Sequence, residues 1–189
     1  MDLRCNDVKD CEDYSDENNC KIFDIDESHY RKEYPPLTSS QNPTQVEVNM
    51  TLLSIGSFQE IEMTFKVSFL ISLKWYDSRI TFYNLNKDTA GENNVGQTLA
   101  SGIWIPRVMF GNSLVETQIK NDGFSFIEVL REGKPTVNAP NKLNANEMYD
   151  GAQNPFVYKR VYNLDLSCEF DLQDYPMDYQ TCYISVRSL

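Results

Sequence analysis

The chain has 189 residues, 41% of them apolar and 12% aromatic, which is enough for one sizeable core. Acidic residues outnumber basic ones by 28 to 17, for a net charge of −11, and this argues against a nucleic-acid backbone as partner, since phosphates require a basic stripe. A single histidine, His29, removes most histidine-based catalysis and most zinc sites, and the apolar runs fall far short of the ~20 residues of a membrane helix.

Met1 runs directly into Asp2 and Arg4, so no signal peptide is expected at the start of this sequence. Residues 1–34 hold 11 acidic and 5 basic side chains, over half of the net charge in under a fifth of the chain. The expected organisation is a small acidic, cysteine-bearing module over residues 1–20 and a linker over 21–44. The linker should carry a helical turn around residues 23–33 and a proline- and serine-bearing connector from Pro35 to Pro43. A main domain over residues 45–189 follows.

The main domain reads as mainly β. Val46, Val48, Met50 and Leu52 alternate with polar residues, and Met63, Phe65, Val67, Phe69, Ile71, Leu73 and Trp75 do the same with Leu70 as the exception. Ile80–Leu85, Leu114–Lys120 and Gly123–Leu130 are further strand candidates. Tyr162, Leu164, Leu166, Cys168, Phe170 and Leu172 repeat the alternation, and Thr181–Val186 closes the series. A helix would scatter these residues around its circumference, so the pattern predicts a two-sheet antiparallel sandwich. Two connections, Asn86–Ser101 and Glu132–Pro155, are long enough to be read as structureless loops. Asn49-Met50-Thr51 is the usable glycosylation sequon, because Asn42-Pro43-Thr44 is blocked by its proline. Asn49 falls on the polar face of its strand.

Five cysteines fall in two groups, Cys5, Cys11 and Cys20, then Cys168 and Cys182. Dense spacing at the amino terminus favours an extracellular, disulfide-bearing protein over buried cytosolic thiols, and an odd count leaves one cysteine without a partner in the chain.

Cys168 and Cys182 enclose a segment that contains Tyr175-Pro176-Met177-Asp178 and ends in Gln180-Thr181. Together with Trp75-Tyr76-Asp77-Ser78-Arg79 and Trp104-Ile105-Pro106, this segment resembles the pentameric Cys-loop ligand-gated ion channels over about residues 23–189. The resemblance implies an immunoglobulin-like β-sandwich with a short amino-terminal helix, and a Cys168–Cys182 disulfide. It also implies a coupling surface made of Glu60, Tyr175, Pro176 and Asp178, which rests on a pore domain. An aromatic residue before proline suits a cis bond at Tyr175–Pro176.

Residues 3–20 resemble the second half of an LDL-receptor class A module, through Asp10-Cys11, Asp13, Ser15-Asp16-Glu17 and Cys20. That resemblance implies calcium held by Asp10, Asp16 and Glu17, with backbone carbonyls of Leu3 and Val8 and with Asn6 in place of an aspartate. It also implies a Cys5–Cys20 disulfide, which leaves Cys11 alone.

Several family positions carry other residues. Leu70 and Ser72 stand where amino-acid-gated members place an aromatic residue and an arginine. Met109 and Phe110 fall in loop A, where Arg107 replaces an aspartate. Tyr158 matches, but Lys159 replaces a serine, Arg160 comes one residue before the expected arginine, and Arg187 replaces a glutamate. Lys159 and Arg107 therefore offer positive charge to an anionic ligand. The resemblance implies an extracellular ligand-binding domain of a channel subunit at the cell membrane. Its partners would be a small-molecule ligand, other subunits of a homo- or hetero-pentamer, and the membrane through a pore domain outside this sequence. The alternative is a secreted ligand-binding protein of the same fold. The wording around Cys182 looks more like the chloride-selective branch. No phosphate loop, nucleophile elbow or histidine-rich pattern points to an enzyme.

Overall fold

The structure, a computed structural model, describes residues 12, 22–23, 25, 28–38, 40–86, 93–114, 125–137 and 147–188. In chain order its elements are β1 (Glu47–Gln59), β2 (Thr64–Trp75), β3 (Thr81–Tyr83), β4 (Asn94–Val95) and the short helix α1 (Gln97–Ala100). Then come β5 (Val108–Phe110), β6 (Ser125–Val129), β7 (Thr136–Val137), β8 (Glu147–Asp150), β9 (Phe156–Ser167) and β10 (Val186–Ser188). One sheet has the order β1-β2-β9-β6-β4, and two smaller sheets have the orders β3-β8-β7 and β10-β5. Every pairing between these strands is antiparallel.

The alternation in β2 and β9 decides the core. Phe65, Val67, Phe69, Ile71, Leu73 and Trp75 are buried, and their partners in β9 include Leu166, Leu164, Tyr162 and Phe156, also buried. The small sheets cover this face. Phe110 of β5 lies 5.3 Å from Phe69 and 5.0 Å from Tyr162, and Phe82 of β3 lies 5.1 Å from Phe156. Phe23 meets Phe82 and Phe156 edge-on. Each such side chain stabilises the fold by about 1.5–3 kcal/mol relative to exposure.

Asp77, fully buried, joins the linker to this core. Its carboxylate accepts from Tyr30 Oη at 2.8 Å and from Arg79 Nε and Nη2 at 2.8 and 2.7 Å. Arg79 reaches on to the carbonyls of Arg31 and Tyr34, and its guanidinium lies 4.2 Å from the Tyr30 ring centre. Tyr30 Oη in turn accepts from the backbone N–H of Trp104 at 3.0 Å. Burial pushes the Tyr30 hydroxyl well above the ordinary tyrosine value, so it remains a donor to Asp77. Gly151 packs against the same turn. A Cβ there would lie 2.2 Å from the Asp77 carbonyl oxygen, so a side chain is excluded without a backbone shift.

Several expectations change. The described part of 23–33 holds no helical turn: Phe23 forms a bridge to Phe82, and turns occupy 28–29 and 32–33, because Phe23 and Tyr30 are each drawn to a separate anchor. The first strand runs on to Gln59, and its apolar face is not buried. Val48, Met50, Leu52 and Ile55 are 44–53% exposed, since β1 is the outermost strand of its sheet and the small sheets do not reach it among the described residues. β9 starts at Phe156 and ends at Ser167, although Cys168 and Phe170 prolong its buried alternation. The region 181–186 is a strand only at Val186. Both long connections contain structure, with β4 and α1 in one and β7 and β8 in the other. Residues 115–120 of the Leu114 candidate and residues 123–124 lie outside the described residues, as do the calcium positions and the cysteines of residues 1–20.

The buried hub generates a measurable expectation. Asp77→Ala leaves Arg79 and Tyr30 without their acceptor and should cost about 3–5 kcal/mol in urea unfolding. Tyr30→Phe, which removes one hydroxyl, should cost about 1–2 kcal/mol, because it strips a donor from Asp77 and an acceptor from Trp104.

Candidate functional site

The large sheet has one face on the core and one turned away from it. The period of two places Leu70 and Ser72 of β2 on the outer face, opposite Val161 and Lys159 of β9. Phe126 of β6 stands opposite Lys159 on its other side. Lys159 Nζ lies 2.7 Å from Glu128 Oε1, whose side chain is 3% exposed, and 5.3 Å from the Phe126 ring centre. The expected cation at Lys159 is therefore already neutralised by a carboxylate. Sequence reading missed Glu128, because only the β6–β9 register brings it onto the same face.

Higher on this face, Lys74 Nζ donates to Glu132 Oε1 at 2.8 Å, and Tyr76 Oη donates to Glu132 Oε2 at 2.9 Å. The Lys74 hydrogen bond holds the Glu132 carboxyl below the usual glutamate range, against the opposing effect of burial, and the Tyr76 bond adds to it. The same bond holds Lys74 above the usual lysine range.

Other predicted residues lie elsewhere. Met109 and Arg187 are direct partners in the β5–β10 pair, and both are exposed. Phe110 turns inward onto Phe69 and Tyr162, so it serves the core and not the outer surface of its strand. Tyr158 pairs with Leu73 on the core side and accepts from Arg160 Nη1 at 3.3 Å. Tyr158 and Lys159 therefore face opposite ways, and a single pocket cannot use both. The seven predicted ligand residues separate into Leu70, Ser72 and Lys159 on one surface and Met109 with Arg187 on the layer that covers the other side of the core. Tyr158 and Phe110 are turned inward between them.

One end of the sandwich carries the expected coupling residues. Cys168 and Cys182 are bridged, with Cα atoms 5.4 Å apart, and closing a loop of this size stabilises by about 3 kcal/mol in the chain-entropy account. Gln180 staples the enclosed loop: its Nε2 donates to the Asp171 carbonyl at 2.7 Å and to the Asp178 carboxylate, and its Oε1 accepts from Asp171 N at 2.9 Å. Asp178 thus supports the loop from within. Tyr175 and Pro176, joined by a cis peptide bond, are exposed, with Tyr175 at 62%. Cys168 N donates to the Met63 carbonyl at 2.9 Å, which sets the loop beside the turn that bears Glu60. Phe58 packs against Phe65 and Phe170 across this junction.

Asn112, which the sequence did not single out, ties the Met109 strand to this loop. Its Nδ2 donates to the carbonyls of Tyr183 and Ser167 at 2.7 and 3.2 Å, and its Oδ1 accepts from Ser185 N at 3.1 Å. Position two residues after Phe110 was the available signal, but only the fold shows the bonds. No group of three or more metal-ligating side chains occurs among the described residues.

The family model described as the neurotransmitter-gated ion-channel ligand binding domain matches residues 21–156. A gamma-aminobutyric acid receptor subunit beta from Lymnaea stagnalis is 26% identical over 152 residues, which cover 77% of this chain. The chain spans about a quarter of that relative's length, 26%.

Two measurements follow from the outer face. Lys159→Met, which removes the charge-assisted bond to the Glu128 carboxylate, should lower stability by about 1.5–3 kcal/mol, and the paired change with Glu128→Leu should lose less than the sum of the single changes, which a double-mutant cycle would read as coupling. Because the Glu132 carboxyl is held low, the stability it adds is complete above the ordinary value of 4.5 and is lost as the pH falls through its own lower value. Unfolding of the wild type and Glu132→Gln should therefore differ at neutral pH, by no more than about 1 kcal/mol for a pair this exposed, and the two should converge as the pH falls below the usual glutamate range.

Proposed function

The chain belongs to the neurotransmitter-gated ion-channel ligand-binding domain family, a receptor family rather than one of enzymes, and on that premise we propose how its parts are used. It forms the extracellular ligand-binding part of a channel subunit at the cell membrane, and it couples binding to a pore formed outside these residues. The observation that carries the detail is the division of the ligand residues between two surfaces. A pocket that needs both must form between neighbouring subunits, with Met109 and Arg187 from one and Leu70, Ser72 and Lys159 from the next. The disulfide loop and the Glu60 turn, side by side at one end, form the surface that bears on the pore domain. The wording around Cys182, together with the likeness to a gamma-aminobutyric acid receptor subunit, supports a chloride-conducting pore.

Residues 1–20 act as a partial LDL-receptor class A module with a Cys5–Cys20 bridge. Calcium there would be held by Asp10, Asp16 and Glu17, by the carbonyls of Leu3 and Val8, and by Asn6. This part of the reading is supported by the cysteine register and the clustered carboxylates. Asn49 is an N-glycosylation site, supported by its sequon.

The charges predict the pharmacology. A carboxylate ligand meets Ser72 instead of a guanidinium, and Lys159 is already engaged by Glu128. An ammonium group meets Arg187 instead of a carboxylate, and like charges repel. A lost charge-assisted bond costs about 1.5–3 kcal/mol, or roughly ten- to hundredfold in affinity. Glycine, GABA and glutamate should therefore give no current at micromolar concentration when applied to oocytes expressing the full-length subunit. Micromolar activation that is lost on changing Ser72 or Arg187 would overturn this assignment of the half-sites.

A further inference from the structure

Phe110 of β5 turns inward onto Phe69, so its neighbour Met109, together with Arg187 opposite, leaves the β5–β10 pair on the outward face. The pairing runs one step past the strands. There Gly111 N donates to the Ser185 carbonyl at 2.8 Å, and Asn112 Oδ1 accepts from the Ser185 amide at 3.1 Å. The place that a Cβ of Gly111 would take lies 2.8 Å from Ser185 Oγ and 3.9 Å from Arg187 Nε. The missing side chain thus leaves a notch into which a hydroxyl and a guanidinium both reach from the facing segment. Among the described residues no hydrogen bond or ion pair engages either of these groups. This sets Arg187 apart from Lys66, Lys74 and Lys159 of the large sheet, each of which has a carboxylate within 3.9 Å. In a chain with a net charge of −11, an exposed arginine of this kind keeps its charge available to an anion from outside.

We propose that Gly111, Ser185 and Arg187 form an oxyanion subsite, and that the ligand it takes is a small carboxylate with an apolar tail. The proposal rests on reading the Met109–Arg187 surface as half of the ligand site. A charge-assisted N–H···O bond spans about 2.7–2.9 Å, so a carboxylate oxygen set slightly toward Arg187 from the Cβ place accepts from Nε and from Ser185 Oγ together. Met109, 45% exposed beside Arg187, offers the tail a polarizable apolar surface. None of these four residues is a carboxylate, so an ammonium group at the far end of an amino acid finds no partner among them and is held off Met109 by its hydration.

The test is a footprint of Arg187 in the chain secreted from mammalian cells behind an added leader. Phenylglyoxal modifies exposed arginines, and peptide mass spectrometry reads the rate at Arg187 and, as an internal control, at Arg31. Pentanoate at millimolar concentration and constant ionic strength should slow the reaction at Arg187 several-fold and leave Arg31 unchanged. Acetate, which lacks the tail, should protect less. So should 4-aminobutyrate, which carries an ammonium group in place of the terminal methyl, and pentylamine should not protect at all. Gly111→Ala, which fills the notch, and Ser185→Ala, which removes the hydroxyl, should each abolish the protection while circular dichroism shows the fold retained. Met109→Ser should bring pentanoate down to the level of acetate. Equal protection of Arg31 and Arg187, no protection by pentanoate, or protection that survives both Gly111→Ala and Ser185→Ala would overturn the proposal. The footprint needs neither a neighbouring subunit nor a current, so a failure of the intersubunit reading would appear separately, in the oocyte recordings.

Discussion

The antiparallel register of β2 with β9, unbroken from Thr64–Ser167 to Trp75–Phe156, is the constraint on which the rest of the molecule depends. Side chains leave a strand on alternate faces, so a shift of one residue would move Phe69, Ile71 and Leu73 to the outside and bring Ser68, Leu70 and Ser72 into the core. The cost of exposing that apolar row makes the register unique. The same register then determines, without further instruction, that Ser72 faces Lys159, that Lys159 meets Phe126 and Glu128, and that Tyr158 points the other way. Core packing and site geometry are two faces of one pairing.

Two hydrogen-bonded junctions hold the ends of this sheet to the loops. At one end Asp77 gathers Arg79, Tyr30 and, through Tyr30, the backbone of Trp104, so the linker, the end of β2 and the loop before β5 share one buried carboxylate. At the other end Asn112 bonds to the carbonyls of Ser167 and Tyr183 and to the amide of Ser185, on both flanks of the disulfide loop. A loop of exposed aromatic residues would otherwise have little to orient it. Bridging by Cys168–Cys182, stapling by Gln180 and clasping by Asn112 act on its base, its interior and its exit.

Much of this was readable in the chain. Strict alternation from Phe65 to Trp75 and from Tyr162 to Leu166 announces both central strands, because burial on one face leaves a period that a helix cannot imitate. The apolar row in β1 misled for a physical reason: alternation reports which face could be buried, and coverage depends on whether another layer reaches that edge. Short strands such as β5, β7 and β8 carry too few residues for a period to be recognised, and they owe their conformation to pairing with distant partners. Residue types at the candidate site were readable one by one. Their grouping was not, since Glu128 and Lys159 are 31 residues apart and meet only through the β6–β9 ladder.

The Glu128–Lys159 pair alters what the substituted positions mean. Read singly, a lysine in place of a serine adds a positive charge to a ligand surface and predicts a taste for anions. Read with its partner, it adds a dipole whose negative end is buried and whose positive end lies against Phe126. An anion approaching Lys159 must compete with a carboxylate at 2.7 Å that pays no association entropy, so the surface gains little affinity for free carboxylates. The pair instead holds the lysine beside Phe126, and the outer face presents a neutral patch of Leu70, Val161 and Ser72 next to it. Charge at this surface is structural, because the lysine that carries it is already held by Glu128.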